Sequence, residues 1–439
     1  MTPTLTRRLS LFPFPGARLI AMALLPLALA ACNGSSDDDE PVAQPAPVPE
    51  TPVPPKPETP AKNQAYLKAK PGDVIKVRIE DLNPTQAAIG YDQIYYKLGR
   101  WQGDFARPTW AGDTTNQIDY LNRTVGKKFD DYCEDTGAGK RAQPFASIAQ
   151  AQAARLDKPE TFSCLNAPGA DATAMKTVVV GWDGNLYLTD GHHSFSALRE
   201  IFDGGPKLPV WVKVDANYSD MADAKAFWQR LVDERKAWLR RDGQNRPITV
   251  EQLPTRLGLA NATEPGGMEE DRYRSLVYFA RDIAYDNSRL PEFAEFLWGD
   301  WLRRQVSSGQ LRSLDFYKMA KPAPLPEILA VSTLDKDLQP KGSSDGYSAA
   351  VREAALKMAV LADSDVVFDD KTAVQLGRIR LVPNAGSGTP TKNARDALEE
   401  LSRNDLKAPG SPPRNGGKLW YSVKYRACGA PAPRTCWDW

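Results

Sequence analysis

Leu188-Thr189-Asp190-Gly191-His192-His193-Ser194-Phe195-Ser196-Ala197-Leu198 carries the only two histidines in a chain of 439 residues. Imidazole is the side chain best suited to moving protons near neutral pH. Upstream, Val178-Val179-Val180 and Leu186-Tyr187-Leu188 are apolar, β-prone runs on either side of Asp183-Gly184, which predicts a hairpin. Downstream, Phe195, Leu198 and Ile201 begin a helical spacing, and a helix is expected to start near Ser194. The histidine pair therefore stands where a strand feeds a helix. Free backbone N–H groups and the positive end of a helix dipole suit that place to an anion.

A competing reading makes the pair a turn that hydrogen-bonds only its own backbone. Asp-Gly before it and a helix after it favour the functional one. Side chains of adjacent turn residues diverge, and no H-x-x-x-H spacing exists, so no metal site is expected and zinc is disfavoured.

Residues 1–31 read as a lipoprotein signal peptide. Arg7, Arg8 and Arg18 form a positive start, and Leu19 to Ala31 is apolar but too short for a permanent span. Leu29-Ala30-Ala31-Cys32 resembles a bacterial lipobox, which implies cleavage before Cys32 and acylation of its thiol. Residues 32–65 read as a disordered, Pro-rich tether, and Asn33 after the lipidated cysteine resembles the pattern sorted to the outer membrane. The expected location is thus a lipid-anchored protein of the bacterial envelope, facing the periplasm. In that oxidising compartment Cys133, Cys164, Cys428 and Cys436 are expected to form disulfides. Of three connectivities, Cys133–Cys164 with Cys428–Cys436 needs only local closures. The formal charge is +1, and loss of the three signal arginines makes it −2. No broad basic surface for tight duplex binding is present, although a local basic groove is compatible with that charge.

Residues 66–215 carry most strand signals and read as one domain. Val74 to Ile79 alternates as a strand, Leu82 to Gln86 turns into a helix through Tyr96 and Lys97, and Leu208 to Val214 is a later strand. Residues 216–321 read as a helical region. Phe227, Leu231 and Trp238 mark one helix face, Asp271 to Leu276 starts another helix, and Pro291 to Arg304 a third. Residues 322–439 read as a C-terminal accessory region, helical over Ala349 to Leu361 and with short strands over Asp365 to Leu381.

Two segments resemble the ParB/sulfiredoxin superfamily, in its branch of ParB-like nucleases. Val77-Arg78-Ile79-Glu80-Asp81-Leu82-Asn83-Pro84-Thr85-Gln86 followed by Gly90-Tyr91 is similar to that branch's first box, and Leu188 to His193 to its second. Asp271 to Leu276 and Phe293-Ala294-Glu295-Phe296-Leu297-Trp298 are similar to further stretches, so the likeness spans residues 66–304. It implies an α/β (α+β) fold whose second box binds phosphates at a helix N-terminus. His192 stands where sulfiredoxins have cysteine and partition proteins glutamate, so neither chemistry transfers. Ser194 stands where arginine is common, which removes a bidentate phosphate ligand.

The roles expected on this reading are these. His192 is general base or acid, His193 stabilises developing charge, and Asp190 orients an imidazole or holds a hydrated Mg²⁺. Gly191 and Ser194 meet a phosphate, with Thr85, Gln86 and Lys97 completing the pocket. The expected function is phosphodiester hydrolysis or another phosphoryl transfer on a phosphate-bearing small molecule or nucleic acid. A nucleotide-dependent kinase fits poorly, because the periplasm is not expected to maintain ATP. The alternative is a non-catalytic envelope lipoprotein that serves as a binding or scaffold module. Anion binding is expected to strengthen below about pH 6.5, where free imidazole becomes cationic.

Overall fold

Alternating valines build a sheet that is covered on both sides. In β4 (Thr177–Val180), Val178 and Val180 enter one apolar cluster and Val179 another, the pattern of a strand with two buried faces. The computed structural model describes residues 61–103, 113–241, 246–287, 290, 293–320, 323–335, 337–342, 344–381, 390–404 and 416–428, without side chains at 390–393. The signal peptide, Cys32, most of the tether, Pro291 and Cys436 lie outside these residues.

The other strands are β1 (Val74–Arg78), β2 (Leu82–Asn83), β3 (Ala88–Ile89), β5 (Leu186–Leu188) and β6 (Pro209–Asn217). The main sheet runs β1-β6-β4-β5-β2. β1 is antiparallel to β6, β6 parallel to β4, β4 antiparallel to β5, and β5 parallel to β2. The β4–β5 hairpin pairs Val178 with Leu188 and Val180 with Leu186. Gly181 N–H donates to Asn185 O at 2.8 Å, and Gly184 takes φ +78°, a conformation glycine adopts without a Cβ penalty. β3 lies apart and pairs in parallel with Glu269–Glu270.

Twelve helices are described: α1 (Tyr91–Gln102), α2 (Thr114–Arg123), α3 (Val125–Asp135), α4 (Ile148–Ala153), α5 (His192–Glu200), α6 (Ala224–Asp233), α7 (Arg272–Ala280), α8 (Ala294–Ser307), α9 (Leu325–Ile328), α10 (Tyr347–Ala359), α11 (Pro390–Leu401) and α12 (Lys418–Cys428). The fold is mixed α/β. α1, α3 and α5 share the apolar cluster that holds Val178 and Val180, while Phe227, Trp228 and Leu231 of α6 cover Val179 and Tyr187 on the other face. A second large core joins α7, α8 and α10. α12 serves both cores, with Trp420, Tyr421 and Tyr425 in the first and Leu419 and Val423 in the second.

Three boundaries differ from the sequence reading. α5 starts at His192, two residues early, so both imidazoles sit in its first turn. α6 ends at Asp233, and Arg235 follows at φ +58°, so Trp238 leaves that helix. Trp238 instead donates its backbone N–H to Thr85 O at 2.9 Å and packs its ring 5.2 Å from Phe296. α8 begins at Ala294, after Phe293 at φ +63°. Cys133 and Cys164 form a disulfide with Cα atoms 5.6 Å apart. Cys428 is also disulfide-bonded.

Candidate functional site

Gly191 decides the geometry at the turn. It caps α5 at φ +107°, and a Cβ placed there would lie 2.7 Å from Lys176 Cγ. A glycine cap has no side-chain oxygen to offer, and no side chain caps α5. The first N–H groups of a helix lack intrahelical acceptors, so those of this first turn are available to a ligand. They open on a cavity of about 570 Å³ whose lining includes Asp190, Gly191, His192, His193 and Ser194.

Lys176 runs beside the cap, with Nζ 3.3 Å from Asp135 Oδ1 and 3.5 Å from Asp190 Oδ2. Burial disfavours the charged ammonium, but the two carboxylates outweigh it and raise its pKa. Asp190 is more than half exposed and bonds no imidazole in the structure. Thr85 lies under the pair rather than in the cavity wall. Its N–H donates to His192 Nε2 at 3.2 Å and its hydroxyl to Leu188 O at 2.7 Å. Gln86 lines the cavity and donates to Ala88 O at 3.0 Å. Lys97 is elsewhere, 3.8 Å from Asp131 and above the Trp101 ring, and is not part of the lining.

Both imidazoles accept backbone hydrogen bonds through Nε2, His192 from Thr85 and His193 from Gly90 at 3.3 Å. A neutral ring that accepts at Nε2 carries its proton on Nδ1. Desolvation, then the neighbouring Arg274 charge, pulls the His192 pKa down to about 3. Desolvation and Arg274 likewise hold His193 well below 6.5. Both shifts favour the neutral rings, which runs against the expected gain in anion binding below pH 6.5.

The opposite wall comes from α7 and α8. Asp271 caps α7 by accepting from Tyr273 N at 2.9 Å and Arg274 N at 3.2 Å, which sets Arg274 in the first turn. Arg274 donates to Glu295 Oε2 at 2.7 Å, Arg281 donates to Glu295 Oε1, and the Tyr285 hydroxyl reaches the same oxygen at 3.0 Å. Burial works to raise the Glu295 pKa, but the two guanidiniums hold it far below the usual carboxylate range. Arg274, Arg281, Lys176 and Lys213 thus bring four cations to one cavity, against Asp190 and Glu295 in its lining.

Arg274, Arg281, Glu295 and Lys176 were not singled out from the sequence. Arg274 and Glu295 lie inside the Asp271–Leu276 and Phe293–Trp298 stretches, and that placement was the available signal. No group of three or more His, Cys, Asp or Glu side chains is gathered for a metal among the described residues. Asp190 is already engaged by Lys176, so the residues do not fit a resident Mg²⁺.

Residues 75–304 match the family described as "Putative ParB-like nuclease". That match covers more than half of the chain, and the protein belongs to this family. The crystal structure of protein Atu1540 from Agrobacterium tumefaciens is similar at 18% identity, over 65% of this chain and 92% of that one, with a TM-score of 0.33. No curated protein matches the chain.

Proposed function

We propose that the cavity at the Asp190-Gly191-His192-His193 turn binds a phosphate group and that the protein is a phosphodiester hydrolase, or another phosphoryl-transfer enzyme, acting there. The observation that carries this reading is the side-chain-free cap of α5 facing a cavity lined by Lys176, Lys213, Arg274 and Arg281. Helix N–H groups and guanidiniums are the donors that bind phosphate oxygens best. In hydrolysis, water attacks phosphorus as the P–O bond to the leaving group breaks, the proton the water loses passes through solvent to the departing oxygen, and the cations stabilise the charge on the equatorial oxygens. The imidazoles take a different part from the base assigned by sequence. Their Nε2 atoms hold the Thr85–Gly90 segment, and a ring Nδ1–H can only donate.

The test incubates residues 61–439 with single- and double-stranded nucleic acid and with mononucleotides, with and without Mg²⁺. Cleavage lost in Arg274→Gln supports the assignment. Cleavage at the wild-type level in that variant removes the chemistry from this cavity. The second reading, a non-catalytic binding module, is favoured by the engagement of both Nε2 atoms. It predicts phosphate binding with no cleavage of any of these substrates.

The location is part of the same proposal: an outer-membrane lipid anchor at Cys32, facing the periplasm. The Cys133–Cys164 disulfide supports an exported chain. Among the described residues no helix is long and apolar enough to cross a membrane. Release of Cys32→Ser from the membrane fraction fits the anchor, and unchanged fractionation and mass count against it.

A further inference from the structure

The Arg274–Glu295–Arg281 triad carries the inference furthest. Each guanidinium is fixed in two ways. The guanidinium carbon of Arg274 lies 4.1 Å from the Phe296 ring centre, and that of Arg281 lies 5.0 Å from the Tyr278 ring centre. Each also gives an outer nitrogen to Glu295, one on either carboxylate oxygen. The Tyr285 hydroxyl anchors that carboxylate from a fully buried ring. The Arg274 side chain is only 6% exposed. The Nε–H groups of both arginines are shut off from solvent, and neither has an acceptor among the described residues. Both arginines line the cavity that α5 opens onto.

We propose that Glu295 is a positioning residue that locks Arg274 and Arg281 into a paired anion clamp, and that this pair supplies the phosphate recognition that Ser194, an uncharged residue at the turn, cannot. This rests on the phosphate-binding reading above. Glu295 acts through the arginines and does not meet the ligand. A ligand does not displace it, because three donors hold it. Its effect on affinity is therefore opposite in sign to that of a simple competing charge. Removing the Glu295 charge makes the cavity more positive, yet it frees both guanidiniums from the orientation the ligand needs.

The experiment titrates inorganic phosphate into the full mature chain by calorimetry, well below the melting temperature. Glu295→Gln is expected to weaken phosphate binding about tenfold, the scale of one lost charge-assisted hydrogen bond. A merely structural role would lower the melting temperature and leave the Kd of the folded protein unmoved. Equal or tighter binding by Glu295→Gln overturns the clamp while the pocket stands. Absence of phosphate binding in the wild type overturns the pocket itself, and the clamp with it. Should Glu295→Gln fail to fold, Tyr285→Phe changes no charge and removes one anchor on the carboxylate. A several-fold weaker Kd is then expected, and an unchanged Kd overturns the proposal.

Discussion

His192 and His193 were singled out as proton carriers, and both rings sit where burial disfavours their charged form. Their folded pKa values lie below that of free imidazole, which is about 6.5. As pH falls through 6.5 the unfolded chain takes up protons that the native state refuses, so stability is full above 6.5 and declines on acidification. For His192 the loss reaches about 2 kcal/mol by pH 5, and His193 adds to it in the same direction. Urea denaturation at pH 7 and pH 5 measures this, with His192→Gln expected to reduce the loss by about 2 kcal/mol. Equal stability at the two pH values would show that the rings are hydrated and free to charge. At this scale the motif was legible and its chemistry was not. Asp190, Gly191, His192, His193 and Ser194 do share one cavity wall with Gln86. The lowered pKa values come from burial and then from Arg274, about 80 residues later, and the tautomer from Thr85 and Gly90 N–H groups about 100 residues earlier, which no local pattern encodes.

Elements were read best where one face alternates or one turn has a fixed chemistry. The β4–β5 hairpin, β1 and β6 follow from their valines, and α7 from Asp271 as its cap. α6 was read too long because Trp238 falls in helical phase with Phe227 and Leu231. The backbone breaks at Arg235, and the indole joins the core of α7 and α8 instead. The connection between β5 and α5 depends most on a single residue. In Gly191→Ala the new methyl meets the inner part of the Lys176 side chain, at a φ that L residues adopt poorly. We expect a loss of about 1–3 kcal/mol in denaturant unfolding. The phosphate-induced rise in melting temperature should shrink as well, since the cap geometry aims the N–H groups. An alanine variant as stable as wild type, with an undiminished phosphate shift, would show that the turn tolerates a side chain and needs no glycine.

At the scale of the molecule, the family match ends at residue 304, but the apolar core under the sheet does not. α12 packs along α1, with Tyr425 5.3 Å from Tyr95 and Tyr421 6.4 Å from Tyr96. Between them the buried Asp92 carboxylate receives the Tyr347 hydroxyl at 2.7 Å, the Ser422 hydroxyl at 3.0 Å and Arg426 Nη2 at 2.7 Å. All three donors come from beyond the matched region. A fragment of residues 61–304 would lose all three of these donors and uncover the face of α1 that α12 packs on. Removing one partner of such a buried pair costs about 3–5 kcal/mol, a large part of a typical domain's stability. The fragment is expected to lack a cooperative thermal transition, and one that melts sharply would show that the matched region stands alone. Arg426→Ala in the full chain is the milder form of the same test. None of this was legible in the sequence, where the segment 418–428 shows no clean amphipathic repeat. Its two neighbours need apolar residues on two separate faces.

The partnership of α1 with α12 also bears on how the chain comes to be folded. Asp92 and Arg426 are 334 positions apart, so a ribosome makes the first long before the second. Over that interval the tyrosine face of α1 has no cover, and the entropy of closing so long a loop is met only when α12 arrives. Nascent and refolding chains therefore pass through a state with exposed aromatic surface, the stage at which aggregation competes with completion.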